Sequence, residues 1–388
     1  MSRTAGATGT PGATRTSGES GTASPNPSIA AGTYRVLRDP ATVREVLHRP
    51  DDFSPANALT AVTPLSSASL RVLRAAGFAL PPVLASNATP AHAGIRRVVA
   101  GFFTPATVAG IEPRIRALAR AATGAAAGEL RTNGTVDLVR AVAGEPPAMM
   151  MLEMLGLPAR DVPQLKAWSR DSLELFWGWP DEDRQLHLAR SAGDFYRWLR
   201  DLVRAAVAAP ERNLFRSLAE HGLSTPELCS MGYFLLIAGQ ETTSQLIGTT
   251  LYRLLDGTSA SSWHEAATST GATAAVRGVL AGESSVPTWR RVTANPTWLD
   301  GELLPAGAEI LLELTGNHDD DARPTAYSLA FGSGIHRCLG AKLAELEAAV
   351  VVQETAAALP AVALSGAAPA WTRLLSFQSP RAVLVSPR

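Results

Sequence analysis

Phe331-Gly332-Ser333-Gly334-Ile335-His336-Arg337-Cys338-Leu339-Gly340 decides how the rest of the chain is read. One cysteine stands between glycines, and a helix-like run, Ala341 to Leu359, follows it. Glycines let the backbone take positive φ and approach a flat ligand closely. A thiolate is a strong, soft metal ligand. A helix beginning just beyond the sulfur turns its N-terminal amides and dipole toward that anion. An ordinary buried cysteine in a glycine turn is the plainer reading of a lone cysteine, but it does not account for the whole ten-residue run.

Upstream, Ser224-Thr225-Pro226-Glu227 has capping-box spacing with a proline near the first helical position, which predicts a helix from Ser224 to Asp256. Its interior, Met231 to Leu255, is apolar nearly all round, the mark of a central core helix. Within it lies Ala238-Gly239-Gln240-Glu241-Thr242-Thr243. Glycine costs about 1 kcal/mol against alanine in a helix interior, and a threonine hydroxyl can bond back to the preceding turn. Glycine, acid and threonine together make a small groove on the helix. A kinked core helix with a solvated glutamate is the bland alternative.

The chain has 388 residues, 46% apolar and 18% charged, with zero net charge. That length allows one large domain or two ordinary ones, and the charge balance carries no footprint for nucleic acid. Two cysteines, Cys229 and Cys338, make no disulfide framework, so a cytoplasmic location is expected. No apolar run reaches transmembrane length and no signal segment is evident, so no membrane association is expected. Residues 1–28, nearly all Gly, Ala, Ser, Thr and Pro, read as a disordered tail, leaving 29–388 as a single domain. Helical patterns are read at 41–48, 90–103, 105–128, 138–155, 160–177, 182–208, 262–268 and 272–281. Strand-like pieces lie at Arg290–Thr293, Trp298–Leu303 and Glu309–Leu314, with a turn at Pro305-Ala306-Gly307. Phe53 to Pro90 shows weak periodicity. The expected fold class is mainly α with a minor β-sheet.

The pattern Phe-x-x-Gly-x-His-x-Cys-x-Gly around Cys338 resembles the haem-binding loop of the cytochrome P-450 family. The run Ala238 to Thr243 is similar to that family's oxygen-activating acid–alcohol motif. The likeness covers about residues 34–388 and is nearest to soluble actinobacterial members. It implies haem b (iron protoporphyrin IX) between the long central helix and the cysteine loop, with Cys338 as the axial thiolate, which favours O–O cleavage. Phe331, Gly332, His336 and Gly340 in the loop, and Ala238 and Gly239 on the helix, are implied as haem neighbours. Thr242 is implied as the hydroxyl that hydrogen-bonds the O2-derived ligand, and Glu241 as support for proton delivery from solvent. Haem carries two propionates, so a buried site needs cations or strong donors. His92-Ala93-Gly94-Ile95-Arg96 sets two such groups on one helical face and resembles the family's His-x-x-x-Arg element. Arg290-Arg291-Val292-Thr293 resembles another propionate position, with Arg291 favoured by register. With His336 these make a four-point clamp.

Two features depart from the family. Nearly all relatives carry Glu-x-x-Arg on the helix before the Arg291 region. Here Ala274-Ala275-Val276-Arg277-Gly278-Val279-Leu280-Ala281 puts Gly278 and Ala281 at those positions. The segment from Asn317-His318-Asp319 to Phe331 is also short for the family's meander, and Arg323-Pro324 is read as a remnant of it. Replacing a whole buried ion network by small apolar groups can be neutral, whereas breaking one partner away is costly, so the two losses fit together.

The implied enzyme takes electrons from NAD(P)H through a ferredoxin and its reductase, the ferredoxin-type partner docking near Arg337 and Lys342. It acts as a monomer on a small-molecule or peptide intermediate of secondary, antibiotic-type metabolism. Hydroxylation or epoxidation is the first reading, and oxidative aryl cross-linking of a peptide or carrier-bound peptide is an open alternative. A second alternative is a non-catalytic helper, against which intact Cys338, Glu241 and Thr242 stand. The loop Phe53–Ala88 and Leu236, Ala238, Val286, Pro287 and Phe377 are candidate pocket residues by analogy, while Trp177, Trp179, Phe195 and Tyr196 lie where the family keeps its substrate-covering helices, with simple packing the favoured reading of the two.

Overall fold

The computed structural model describes residues 34–158, 161–316 and 326–388. Among these the α-helices run α1 Pro40–His48, α2 Ser67–Ala75, α3 His92–Ala100, α4 Pro105–Asn133, α5 Glu145–Met154, α6 Val162–Trp177, α7 Glu182–Ala208, α8 Leu214–Glu220, α9 Thr225–Leu255, α10 Ser269–Glu283 and α11 Ala341–Ala358. The strands are β1 Arg35–Leu37, β2 Phe53–Ser54, β3 Val136–Asp137, β4 Thr288–Thr293, β5 Thr297–Leu299, β6 Glu302–Leu304, β7 Glu309–Glu313, β8 Val362–Leu364, β9 Trp371–Arg373, β10 Gln378–Pro380 and β11 Leu384–Pro387. The architecture is mainly helical with small sheets, as the sequence predicts.

Helix starts follow local chemistry. The Asp39 carboxylate accepts from Thr42 N–H at 2.7 Å and that of Asp181 from Arg184 N–H at 2.8 Å. Ser224 and Glu227 form the reciprocal capping box, satisfying donors that a helix terminus leaves open. Helix α9 is buried on nearly every face because it serves two cores. Leu228, Leu235 and Leu236 pack with α6 and α7, and Leu246, Ile247 and Leu251 pack with α4, α10 and α11. Each fully buried leucine of this kind contributes about 1.5–3 kcal/mol relative to exposure.

The largest sheet has the order β1-β7-β4-β2. Its β1 lies parallel to β7, with Arg35 opposite Ile310, and β4 lies antiparallel, with Arg291 opposite the same Ile310. Chain far apart in sequence therefore fixes the strand that carries Arg291.

Several expectations change. Trp298–Leu303 is not one strand but the hairpin β5–β6, turning at Asp300 and Gly301 with φ of +50° and +78°. Positive φ at both central positions is the Asp-Gly hairpin signal, so the turn residues override the apolar run. The segment 53–90 contains α2, begun by Ser66, whose side chain accepts from Ser69 N–H. Residues 138–155 split into a π-helical stretch Val139–Ala143 and α5, and 262–268 reduces to a 3-10 turn at Glu265–Ala267. Helix α8 and the strands β1, β3 and β8–β11 are too short to show in a periodicity.

The expected tail 1–28, the meander with Asn317-His318-Asp319, and Arg323-Pro324 lie outside the described residues. Helix α10 buries Ala272, Ala275, Val276, Val279 and Leu280. Gly278 is exposed, and a Cβ there would meet nothing within 4 Å. Among the described residues no helix is long and apolar enough to cross a membrane.

Candidate active site

The cysteine loop is shaped by its glycines. A 3-10 turn at Tyr327–Phe331 leads to Gly332 at φ +71° and Gly334 at φ +69°. At Gly334 a Cβ would lie 2.6 Å from the Leu47 carbonyl oxygen at the end of α1, so only glycine fits there. The Cys338 N–H donates to the Phe331 carbonyl at 2.8 Å and closes the loop. The Cys338 sulfur lies on the wall of a cavity, with protein on its other sides. Burial pushes its thiol pKa up; the Gly340 N–H, Arg96 and Arg337 pull the other way without overcoming it. The Gly340 amide at the helix start thus favours the anion, as the sequence suggests, but burial outweighs it. A coordinated metal would hold the anion, since a coordinating thiol is deprotonated outright.

The same cavity is walled by α9. Ala238, Gly239 and Thr242 line it, as do Phe331, Gly332, His336, Cys338 and Gly340 on the loop side. Thr242 Oγ1 donates back to the Ala238 carbonyl at 2.6 Å, and Thr243 Oγ1 to that of Gly239 at 2.9 Å. This is the back-bonding that the sequence suggests, and α9 stays continuous from Thr225 to Leu255 around it. Gly239 has a use that the sequence did not reveal. A Cβ there would lie 2.3 Å from the Met151 sulfur, so the glycine admits a side chain of α5.

Glu241 is not the solvated glutamate of the bland alternative. It is 3% exposed and sits 2.6 Å from Lys166 Nζ of α6, so it does not face solvent. Lys166 also donates to Ser244 Oγ at 2.9 Å. A buried carboxylate needs polar partners, and Lys166 supplies one from 75 residues upstream. Sequence reasoning missed Lys166; a lysine at the start of an otherwise amphipathic helix gives little sign of being buried.

The propionate candidates gather at one end. Arg96, Arg291 and His336 line the cavity, and the buried His92 ring lies behind, its centroid 4.9 Å from that of His336. His336 Nε2 bonds the Asn87 carbonyl oxygen at 2.8 Å, and an Arg96 amino group donates to the Arg337 carbonyl. Burial lowers the pKa of Arg291 to about 10. It lowers that of His336 to about 4, with Arg291, His92 and Arg96 adding to the fall. Among the described residues His92 Nε2, Arg291 Nε and His336 Nδ1 have no hydrogen-bond partner. Buried polar atoms and cations without partners are costly, so this set suits a bound di-anion such as a pair of propionates. Arg290, next on the strand, faces the other way and donates to the Ala58 and Thr60 carbonyls at 3.3 and 2.6 Å.

The remaining walls are apolar, with Leu59, Leu80, Phe176, Val286, Trp289 and Phe377 among them. Leu236 and Pro287 do not line the cavity. Phe195 and Tyr196 pack elsewhere, against Tyr233 and Phe78 at centroid distances of 4.6 and 5.2 Å.

No family model matches the chain. It is 33% identical over 302 residues to the vitamin D(3) 25-hydroxylase of Pseudonocardia autotrophica, spanning 73% of this chain and 72% of that protein. It is 30% identical over 297 residues to the cytochrome P450 monooxygenase PikC of Streptomyces venezuelae, spanning 71% and 68%. The chain belongs to the cytochrome P450 family. This P450 superimposes on the solved structure of cytochrome P450 CREJ in complex with (4-ethylphenyl) dihydrogen phosphate with a TM-score of 0.84. That pair shares 27% identity over 92% of each chain. Family membership makes the protein an oxidoreductase of the monooxygenase kind.

Proposed function

We propose that this P450 is a haem-thiolate monooxygenase of bacterial secondary metabolism that inserts one oxygen atom by hydroxylation or epoxidation. The observation that carries the reading is one cavity bearing Cys338 on one wall, Thr242 on the other, and unpartnered Arg291 and His336 atoms at its end. Haem b, when bound, supplies the iron chemistry that activates O2. Cys338 Sγ would hold the iron, and Arg96, Arg291, His336 and His92 would hold the propionates. Thr242 Oγ1, now bonded to Ala238, would turn its hydroxyl toward the cavity to orient a proton. Glu241 would hold the proton reserve one residue away, its route running past Lys166 and Ser244. The apolar walls exclude water and favour an apolar substrate.

Electrons would come from NAD(P)H through a reductase and a ferredoxin-type partner, for which Arg337 and Lys342 are exposed beside the cysteine loop. Relatives named as hydroxylases, and one named cyclomarin C epoxidase at 29% identity, support oxygen insertion over aryl coupling. The holoprotein with a ferredoxin, its reductase and NADPH under isotopically labelled O2 tests the reading against a panel of macrolide, sterol and cyclic peptide substrates. A product carrying one labelled oxygen atom is expected. Products that lose two hydrogens with no labelled oxygen would replace the reading by oxidative coupling.

A further inference from the structure

Arg277 lies where the sequence shows a loss. The aligned positions Gly278 and Ala281 carry no charge, and Gly278 is exposed. Glu283, the nearest acid on α10, is taken by Arg253 of α9 at 2.6 and 2.8 Å. One residue before Gly278, the Arg277 guanidinium reaches away from α10 in two directions. Its Nε and one amino nitrogen meet Glu345 Oε1 at 2.6 and 2.5 Å. Its central carbon stands 4.8 Å from the centroid of the Tyr327 ring.

Those two partners flank Cys338. Tyr327 opens the 3-10 turn that ends at Phe331, whose carbonyl accepts the Cys338 N–H. Glu345 lies near the start of α11, the helix that leaves the loop. One planar side chain therefore ties both the entry and the exit of the cysteine loop to α10. Arginine suits this use because its fork binds a carboxylate while its face stacks on a ring, and lysine offers only a point charge.

Resting on the haem-thiolate reading above, we propose that Arg277 is a positioning residue for Cys338: it stacks on Tyr327 and grips Glu345, fixing the loop that would hold the iron. The side chain is 47% exposed, so its ion pair contributes little to global stability. Its effect belongs in the ligation of the metal, where outer-shell partners count.

The test uses the haem-loaded full chain with Arg277→Ala, Arg277→Lys, Tyr327→Ala and Glu345→Gln. Arg114→Ala is the comparison, since it breaks a similarly exposed pair, Arg114 with Glu153, on helices away from the loop. The readouts are the thiolate-type fraction of the reduced, carbon monoxide-bound spectrum, the rate of haem loss to excess apoglobin, and thermal unfolding. Arg277→Ala and Tyr327→Ala should lose haem about tenfold faster and show a raised non-thiolate fraction. Arg277→Lys should fall between them and wild type, and it keeps the charge if the alanine variant fails to fold. Haem loss and spectra like those of Arg114→Ala in all the loop-side variants would overturn the proposal. A wild type with no thiolate-type spectrum would overturn the haem-thiolate reading itself, and this proposal with it.

Discussion

Gly334 shows what a single position can require. Its φ of +69° suits glycine, and a Cβ would lie 2.6 Å from a backbone oxygen of Leu47 that cannot swing aside. Gly334→Ala should therefore destabilise the protein by about 2–3 kcal/mol, from backbone strain and the clash together. Gly332→Ala, with open space around it but φ +71° and ψ −173° in a region that almost only glycine adopts, should cost about 1–3 kcal/mol from backbone strain alone. Denaturant midpoints with unchanged slope would measure both, and a Gly334→Ala midpoint equal to that of the wild type would contradict the assigned clash. That these glycines serve a loop was legible, because the residues bracket the cysteine. That Gly334 faces Leu47 was not, because the contact joins the loop to a helix 287 residues upstream. Gly239 is the same case, with Met151 as the unseen partner.

At the scale of elements, the crossing of α6, α9 and α11 buries Lys166, Glu241, Ser244 and Glu347. The length of α9 and its capping box were legible because both are local. The direction of Glu241 was not, since it depends on which face of α9 meets α6. Glu347 is 1% exposed, and one of its oxygens has no hydrogen-bond partner among the described residues. Burial pushes its pKa up to about 8 from an ordinary 4.5, with the Lys166 charge pulling partly back. The folded state thus keeps a proton that the unfolded chain releases, so stability falls as pH rises. This contribution is full below pH 4.5 and is lost as pH climbs through about 8. Unfolding free energy of the wild type should drop between about pH 5 and pH 8.5, and Glu347→Gln should drop clearly less. Equal losses in the two proteins would show that Glu347 does not carry the dependence.

Over the whole molecule, the sequence disclosed the fold class because one loop and one helix each carried a specific run of residues. The strands were harder. β1 pairs with β7 across 275 positions of register, and β8 to β11 are three or four residues each. Three-residue strands hold no usable alternation, and only the folded chain brings Arg35, Ile310 and Arg291 into line. The gathering of Arg96, Arg291, His92 and His336 about one cavity depends on that assembly, and the family resemblance, not any local pattern, had joined them as a clamp. The central claim is that this assembly holds haem through Cys338. The absorbance spectrum of the reduced, carbon monoxide-bound protein tests it most directly. The account predicts a red-shifted thiolate-type band in the wild type that Cys338→Ser loses. A wild type that takes up no haem, or a thiolate-type band that survives in Cys338→Ser, would contradict it.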